Sequence, residues 1–302
     1  MKAKIHLFLL IIVRKKYLVN LKRQIVINGA FITEDADKNS FQNRAFLYGD
    51  SIFETIRVNN RNILYFEEHL LRLISGMTVL KYHIPDKFTI FKDKLKDEIL
   101  SLLNRNKIFK SARVRITVFR KSGGFYTPKT NEIDYLISAS QLDNEKFVLN
   151  TDGLQVSVYH ELKKTINLFS PYKTGNLLLY ILAGVYKNEI AADDCLILNE
   201  KNQIIEAVSS NLFLVKNKSL ITPPVSDGCI NGIMRNEIIA LAKLHEIPCI
   251  EQSISEPDLF RAEELFLTNS ISGIEWVVAY KDKRYYKRLS EFFIHQLNAV
   301  AD

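Results

Sequence analysis

Lys173 stands in Ser170-Pro171-Tyr172-Lys173-Thr174-Gly175-Asn176, directly before the apolar stretch Leu177 to Ala183. Further along come Glu206-Ala207-Val208-Ser209-Ser210-Asn211-Leu212-Phe213, then Thr222-Pro223-Pro224, then Asn231-Gly232-Ile233-Met234-Arg235. These residue types suit three tasks. A lysine amine can condense with an aldehyde and later carry a proton. A carboxylate favours the charged form of a cation placed beside it. A glycine at the start of a helix leaves free N–H groups for an anion and lets the backbone come close to it. A lysine taken alone is usually a solvated surface charge, and an acid at a strand end beside a turn is usually structural. It is the succession of the three signals that gives each of them weight.

Those residues need elements to hold them. Gln24 to Gly29 reads as a strand running into a turn, and Ser51–Val58 and Ile63–Phe66 as two strands joined by the turn-forming Asn59-Asn60-Arg61-Asn62. Leu70, Leu71, Ile74, Met77 and Leu80 recur at helical spacing, as do Phe88, Phe91, Leu95, Ile99 and Leu102. Ala112–Phe119 and Ile133–Ser138 read as strands, separated by the break at Ser122-Gly123-Gly124. The later half predicts strands at 154–159, 194–198, 203–206, 211–215, 219–222 and 264–268, with helices near 176–190, 232–246 and 287–299. Short strands so closely spaced imply a mostly antiparallel, barrel-like sheet. The polar run 141–152 divides a small α+β domain, 24–140, from a larger domain, 153–302.

The chain has 302 residues and a hydrophobic content of 47%, enough for two domains with real cores. Its formal charge of +7 invites a nucleic-acid reading. Residues 1–23, however, carry Lys2, Lys4, Arg14, Lys15, Lys16, Lys22 and Arg23 with no acid; without them, 34 basic residues face 34 acidic ones. The body is therefore balanced, and no basic stripe with interleaved aromatics marks it as nucleic-acid binding. Ile5–Val13 is apolar apart from His6 and too short to span a bilayer, so no stable membrane insertion is expected. The arm reads first as an extension upstream of the working start, with a membrane-touching arm or a signal peptide as alternatives. Without export the protein is expected in the cytoplasm. Cys195, Cys229 and Cys249 are too few and scattered for a disulfide framework, and the six histidines show no metal-ligand spacing, so no metal is expected.

The order of the signals, together with Tyr48-Gly49-Asp50-Ser51-Ile52-Phe53-Glu54-Thr55-Ile56-Arg57, resembles the class IV aminotransferase family of pyridoxal-phosphate enzymes from about Ile25 to Tyr280. The resemblance implies fold type IV: an α+β protein with a small α+β N-terminal domain, a larger barrel-like α/β C-terminal domain, and pyridoxal 5'-phosphate between them. It also implies a homodimer. Carried onto this chain, it makes Lys173 the catalytic residue that holds the cofactor's aldehyde, and Glu206 the acid facing the pyridine nitrogen. The phosphate falls to Arg72 and to the helix start at Gly232, Ile233 and Met234, with Ser270 of Thr268-Asn269-Ser270 closing the far side. Arg115, Arg120 and Tyr48 become candidate substrate contacts, and Glu54 a candidate pocket residue.

Three details bear on the reaction. Two residues separate Lys173 from Asn176, as in aminodeoxychorismate lyases and D-amino-acid transaminases, and Leu177 follows where branched-chain transaminases carry tyrosine. Phe125-Tyr126-Thr127 replaces the Arg-x-His of the D-amino-acid enzymes. Asn231-Gly232-Ile233-Met234-Arg235 is similar to the lyase form of the phosphate loop, and Met234 cannot donate the hydroxyl bond that a threonine supplies there. The expected reaction is conversion of 4-amino-4-deoxychorismate to 4-aminobenzoate and pyruvate, a step of folate synthesis. The alternative is an aminotransferase acting on a branched-chain or D-amino acid and a 2-oxo acid.

Overall fold

The structure, a computed structural model, describes residues 23–34 and 42–301. Apart from Arg23, the basic and apolar arm lies outside the described residues. The first half contains β1 (Gln24–Ile27), β2 (Ala30–Thr33), α1 (Arg44–Tyr48), β3 (Ser51–Asn59), β4 (Asn62–Ile63), α2 (Phe66–Val79), α3 (Asp86–Thr89), α4 (Lys92–Arg105), β5 (Ser111–Arg120) and β6 (Ile133–Gln141). Its sheet runs in the order β2-β1-β6-β5-β3-β4, with antiparallel neighbours.

Strand alternation sets which side chains this sheet gives to the site. Ala112, Val114, Ile116 and Val118 of β5 are buried in one cluster with Leu70, Leu73 and Met77 of α2 and with Leu95 and Ile99 of α4. Arg113 and Arg115 therefore point to the other face of β5. Two local expectations are corrected. The strand expected at 63–66 ends at Ile63, because Tyr65 turns the chain at a left-handed φ of 53° and Phe66 opens α2. The helix expected from Phe88 to Leu102 is two helices. Ile90 and Phe91 between them are exposed, and α4 restarts at Lys92 so that Leu95, Ile99 and Leu102 reach the core.

The second half contains β7 (Leu154–Lys164), α5 (Leu178–Glu189), β8 (Asp194–Asn199), β9 (Ile204–Ala207), β10 (Asn211–Lys216), β11 (Ser219–Thr222), α6 (Ile233–Leu244), β12 (Cys249–Glu251), α7 (Glu256–Arg261), β13 (Glu264–Asn269), β14 (Gly273–Tyr280), β15 (Lys283–Arg284) and α8 (Arg288–Ala301). β10, β13, β14, β7, β8 and β9 pair in succession, and β9 returns to β10 through Glu206 opposite Asn211, closing a six-stranded barrel. β11, β12 and β15 extend it. Among its pairings, β14–β7, β7–β8 and β11–β12 are parallel. The β7–β8 pair needs the crossover that α5 supplies.

Barrel strands are covered on both sides, which explains their nearly continuous apolar runs. Leu196, Leu212, Leu214, Leu265, Leu267 and Val277 share the interior cluster. Their neighbours Phe213 and Phe266 stack at 5.2 Å on the other side, in a cluster with Met234 and Ile238 of α6 and Phe293 of α8. No helix among the described residues is long and apolar enough to cross a membrane.

Candidate active site

A cavity of ≈ 810 Å³ opens between the small sheet and the barrel, and Lys173, Glu206, Arg72, Gly232 and Thr268 all line it. Lys173 belongs in sequence to the barrel half, yet its segment is bonded to β3. The Phe53 N–H donates to the Lys173 carbonyl at 2.8 Å, and the Gly175 N–H to the Ser51 carbonyl at 2.8 Å. Gly175 lies so close that a Cβ there would strike Ser51 Oγ and the Gly49 carbonyl. The side chain of Lys173 thus enters the cavity from a fixed backbone, its amine 5.8 Å from the Phe53 ring centroid. Burial lowers the amine's pKa first; Arg72 and Arg115 add to this against Glu54 and Glu206, and the value falls to about 8. A lysine so placed is available as a neutral amine far more often near pH 7 than one in water.

Glu206 sits at the strand pairing that closes the barrel, opposite both Asn211 and Ile197, and is buried. Its Oε1 accepts from Lys164 Nζ at 2.8 Å and from the Tyr180 hydroxyl at 2.7 Å; its Oε2 accepts from the Ile230 N–H at 2.7 Å. A buried carboxylate survives only with such partners. Neither Lys164 nor Tyr180 was singled out from the sequence. Lys163-Lys164 reads as an ordinary charged pair, and Tyr180 as part of an apolar helix. Nothing local distinguishes them, because they reach Glu206 from β7 and α5.

The loop from Ile230 to Gly232 leads into α6. Gly232 is the residue before the helix, no side chain caps the helix start, and the first turn has no acid. The N–H groups of Ile233 and Met234 are therefore free of the usual side-chain competitor. A Cβ at Gly232 would collide with the Asn211 side chain, whose Nδ2 donates to the Ile230 carbonyl at 2.8 Å. Met234 contributes only backbone here, since its side chain lies in the cluster with Phe213 and Phe266. Arg235, the last residue of the motif, turns away: its Nη2 donates to the Pro223 carbonyl at 2.8 Å and to Glu251 at 2.6 Å. It ties the Thr222-Pro223-Pro224 signal to the helix. Asn231 N–H in turn donates to the Pro171 carbonyl at 3.0 Å, joining this loop to the Lys173 segment.

Arg72 comes from α2 and is held by Glu54 of β3. Its Nε donates to Oε1 at 2.8 Å and its Nη2 to Oε2 at 2.6 Å, while Nη1 donates to the Asn231 carbonyl at 2.7 Å. His69, one helical turn before Arg72, lies 2.7 Å from Glu54 through Nδ1. Burial alone would raise the Glu54 carboxyl, but Arg72 and His69 overcome it and hold the pKa down to about 2. Burial keeps the His69 ring below its ordinary pKa, so Nδ1 is the donor to the carboxylate. Arg72 retains further N–H groups for the cavity.

The remaining candidates divide. Arg115 and Ser270 line the cavity. Arg115 lies with its guanidinium carbon 3.6 Å from the Phe53 ring centroid, and its Nε donates to Thr117 Oγ1 at 3.1 Å. Arg120 does not line it: it is buried on the core face of β5, bonded to Asp50 at 3.0 Å, to Asn131 and to the Leu80 carbonyl at 2.9 Å. Tyr48 does not line it either. Its ring lies 5.9 Å from Tyr126 under Arg44, on the surface. The residue that joins Arg115 in the cavity wall is Arg113, two positions earlier on the same strand face.

The residues suit pyridoxal 5'-phosphate. Lys173 offers the amine, Glu206 the acid, and the uncapped start of α6 with Arg72 the anion cradle. A Cβ at Gly232 would strike the Asn211 side chain, so the backbone there stays bare for an anion to approach.

The chain belongs to the amino-transferase class IV family, whose model matches residues 51–280. It is accordingly a pyridoxal-phosphate-dependent enzyme. It is 30% identical, over 83% of its length and 85% of the relative's, to a Methanocaldococcus jannaschii protein provisionally named a branched-chain-amino-acid aminotransferase. It is 26% identical to the aminodeoxychorismate lyase of Vibrio harveyi over 76% of this chain and 83% of that one. The solved branched-chain amino acid aminotransferase of Escherichia coli has the same fold, with a TM-score of 0.80 at 25% identity over 91% of this chain and 92% of that one.

Proposed function

We propose that this enzyme is a lyase converting 4-amino-4-deoxychorismate to 4-aminobenzoate and pyruvate. The observation that carries the reading is the pair Arg113 and Arg115. Both line the cavity from one face of β5, and neither has a carboxylate partner among the described residues. Two unanswered guanidiniums a strand repeat apart fit a substrate with two carboxylates. The proposed substrate has one on its ring and one on its enolpyruvyl ether. The Lys173–Asn176 spacing and the methionine at 234 agree with it.

Pyridoxal phosphate, when bound, supplies the electron sink at the carbon that bears the substrate amine. Lys173 takes the proton from that ring carbon. Glu206 holds the cofactor's ring nitrogen protonated. Arg113 and Arg115 hold the two carboxylates, so the breaking ether bond stays beside the amine. The C–O bond to the three-carbon unit breaks, one proton is returned to its methylene carbon, and pyruvate leaves. The ring becomes aromatic, which drives the elimination forward.

Full-length enzyme incubated with 4-amino-4-deoxychorismate and no 2-oxo acid is expected to release 4-aminobenzoate. Arg113→Met and Arg115→Met should each raise KM roughly tenfold or more, the worth of one charged hydrogen bond. The second reading, an aminotransferase, is favoured by the relative that is 30% identical. No 4-aminobenzoate, together with stoichiometric conversion of the cofactor to its amine form by leucine or D-alanine, would establish it instead.

We also propose a homodimer. Leu178, Ile181, Leu182 and Val185 form an exposed apolar stripe along α5, at the spacing of one helix face. Such a stripe beside the cavity is suited to a second copy of the chain. Light scattering should give twice the mass of one chain; the mass of a single chain would end this proposal.

A further inference from the structure

Glu206, proposed as the acid facing the cofactor ring, has surroundings that carry a further assignment. An ionised carboxylate offers about four acceptor positions, two on each oxygen. Oε1 has both taken, by Lys164 Nζ at 2.8 Å and the Tyr180 hydroxyl at 2.7 Å. Oε2 has one taken, by the Ile230 N–H at 2.7 Å. The open position is therefore on Oε2.

Among the described residues, the cation in contact with Glu206 is Lys164. Its side chain is 13% exposed, and its amine also donates to the Ser170 carbonyl at 3.1 Å. The Tyr180 ring lies beside it, 5.6 Å from the amine to the centroid. Lys173 is within electrostatic reach of Glu206 but forms no ion pair with it among the described residues. Lys164 sits at the last position of β7, next to the bulge in the β7–β8 pairing, which turns its side chain toward β9.

We propose that Lys164 is the positioning residue for Glu206: its charge answers the buried carboxylate and its bond to Oε1 turns Oε2 toward the cofactor's ring nitrogen. Without Lys164, the buried carboxylate loses its charged partner on Oε1 and the bond that fixes which oxygen faces the ring nitrogen. The Lys164 amine bonds Glu206 and the Ser170 carbonyl beside the Tyr180 ring, while its main-chain carbonyl accepts from the Glu200 N–H at 3.2 Å.

The inference rests on the reading that Glu206 faces the cofactor. The test titrates full-length protein, freed of cofactor, with pyridoxal 5'-phosphate and measures its dissociation constant. Lys164→Met should raise that constant roughly tenfold or more, as expected for loss of a charged hydrogen bond. Lys164→Arg, which keeps the charge, should stay within about threefold of wild type. In Glu206→Gln, adding Lys164→Met should cause little further loss, because the lysine has no anion left to hold. Wild-type affinity in Lys164→Met, equal losses in the Met and Arg variants, or additive losses in the double variant would overturn the proposal. If Lys164→Met alone fails to fold, the double variant decides: folding of the double variant supports the pairing, and its failure shows a separate structural role and overturns it. Wild-type protein that bound no pyridoxal phosphate would instead sink the cofactor reading. Rejection of the lyase reaction leaves these binding measurements unchanged.

Discussion

Lys173→Ala is expected to end covalent capture of pyridoxal phosphate and to slow turnover by at least about a thousandfold, the scale of a lost general base. The substitution removes the amine but leaves the segment in place, because its bonds to β3 are made by the Lys173 carbonyl and the Gly175 N–H. The cradle at Gly232 and Arg72 remains, so the variant should still bind the cofactor reversibly. Borohydride reduction followed by mass spectrometry of the peptide separates the two effects. A tag on another lysine, or full activity in the variant, would remove Lys173 from its role. The same amine sets a pH dependence. With its pKa brought down to about 8, the neutral fraction rises close to tenfold per pH step below that value and levels above it. The rate at which cofactor-free protein captures pyridoxal phosphate should follow that rise. A rate still climbing steeply beyond pH 9 would mean the amine is not desolvated as the cavity implies.

Glu206→Gln should leave covalent capture at Lys173 intact and slow turnover roughly ten- to a hundredfold, the range for replacing a charged hydrogen bond with a neutral one. The amide keeps the shape of the carboxylate but not its charge, so a protonated ring nitrogen loses its counter-ion. It also leaves Lys164 beside a group that no longer answers it. The variant should therefore lose cofactor affinity as well as rate. A wild-type rate with wild-type affinity would show that the carboxylate at the barrel's closing pair serves the fold alone.

Much of the site was legible because its chemistry is carried by short contiguous stretches. Lys173 lies in a distinctive run, and Gly232 with the helix start behind it announces an anion cradle from local residues alone. The apolar alternation of β5 and the runs of β8, β10 and β13 likewise mark the core from sequence. What could not be read was assembled across the chain. Arg120 and Arg115 are equivalent by composition, yet β5 turns one toward Asp50 and the other into the cavity, while Arg113, passed over, joins it. Tyr48 shares a run with Glu54, but α1 leaves its ring on the surface.

The sequence by itself thus determined the family and singled out the lysine, the acid and the phosphate loop as candidates, because each depends on neighbours within a few residues. Only the tertiary structure decided which strands run parallel, where the barrel closes, and that Lys164 and Tyr180 meet at Glu206. Those contacts join β7, α5 and β9, and they depend on the direction in which each strand is laid against the next. That direction is set by the packing of both barrel faces at once, which no stretch of contiguous residues encodes.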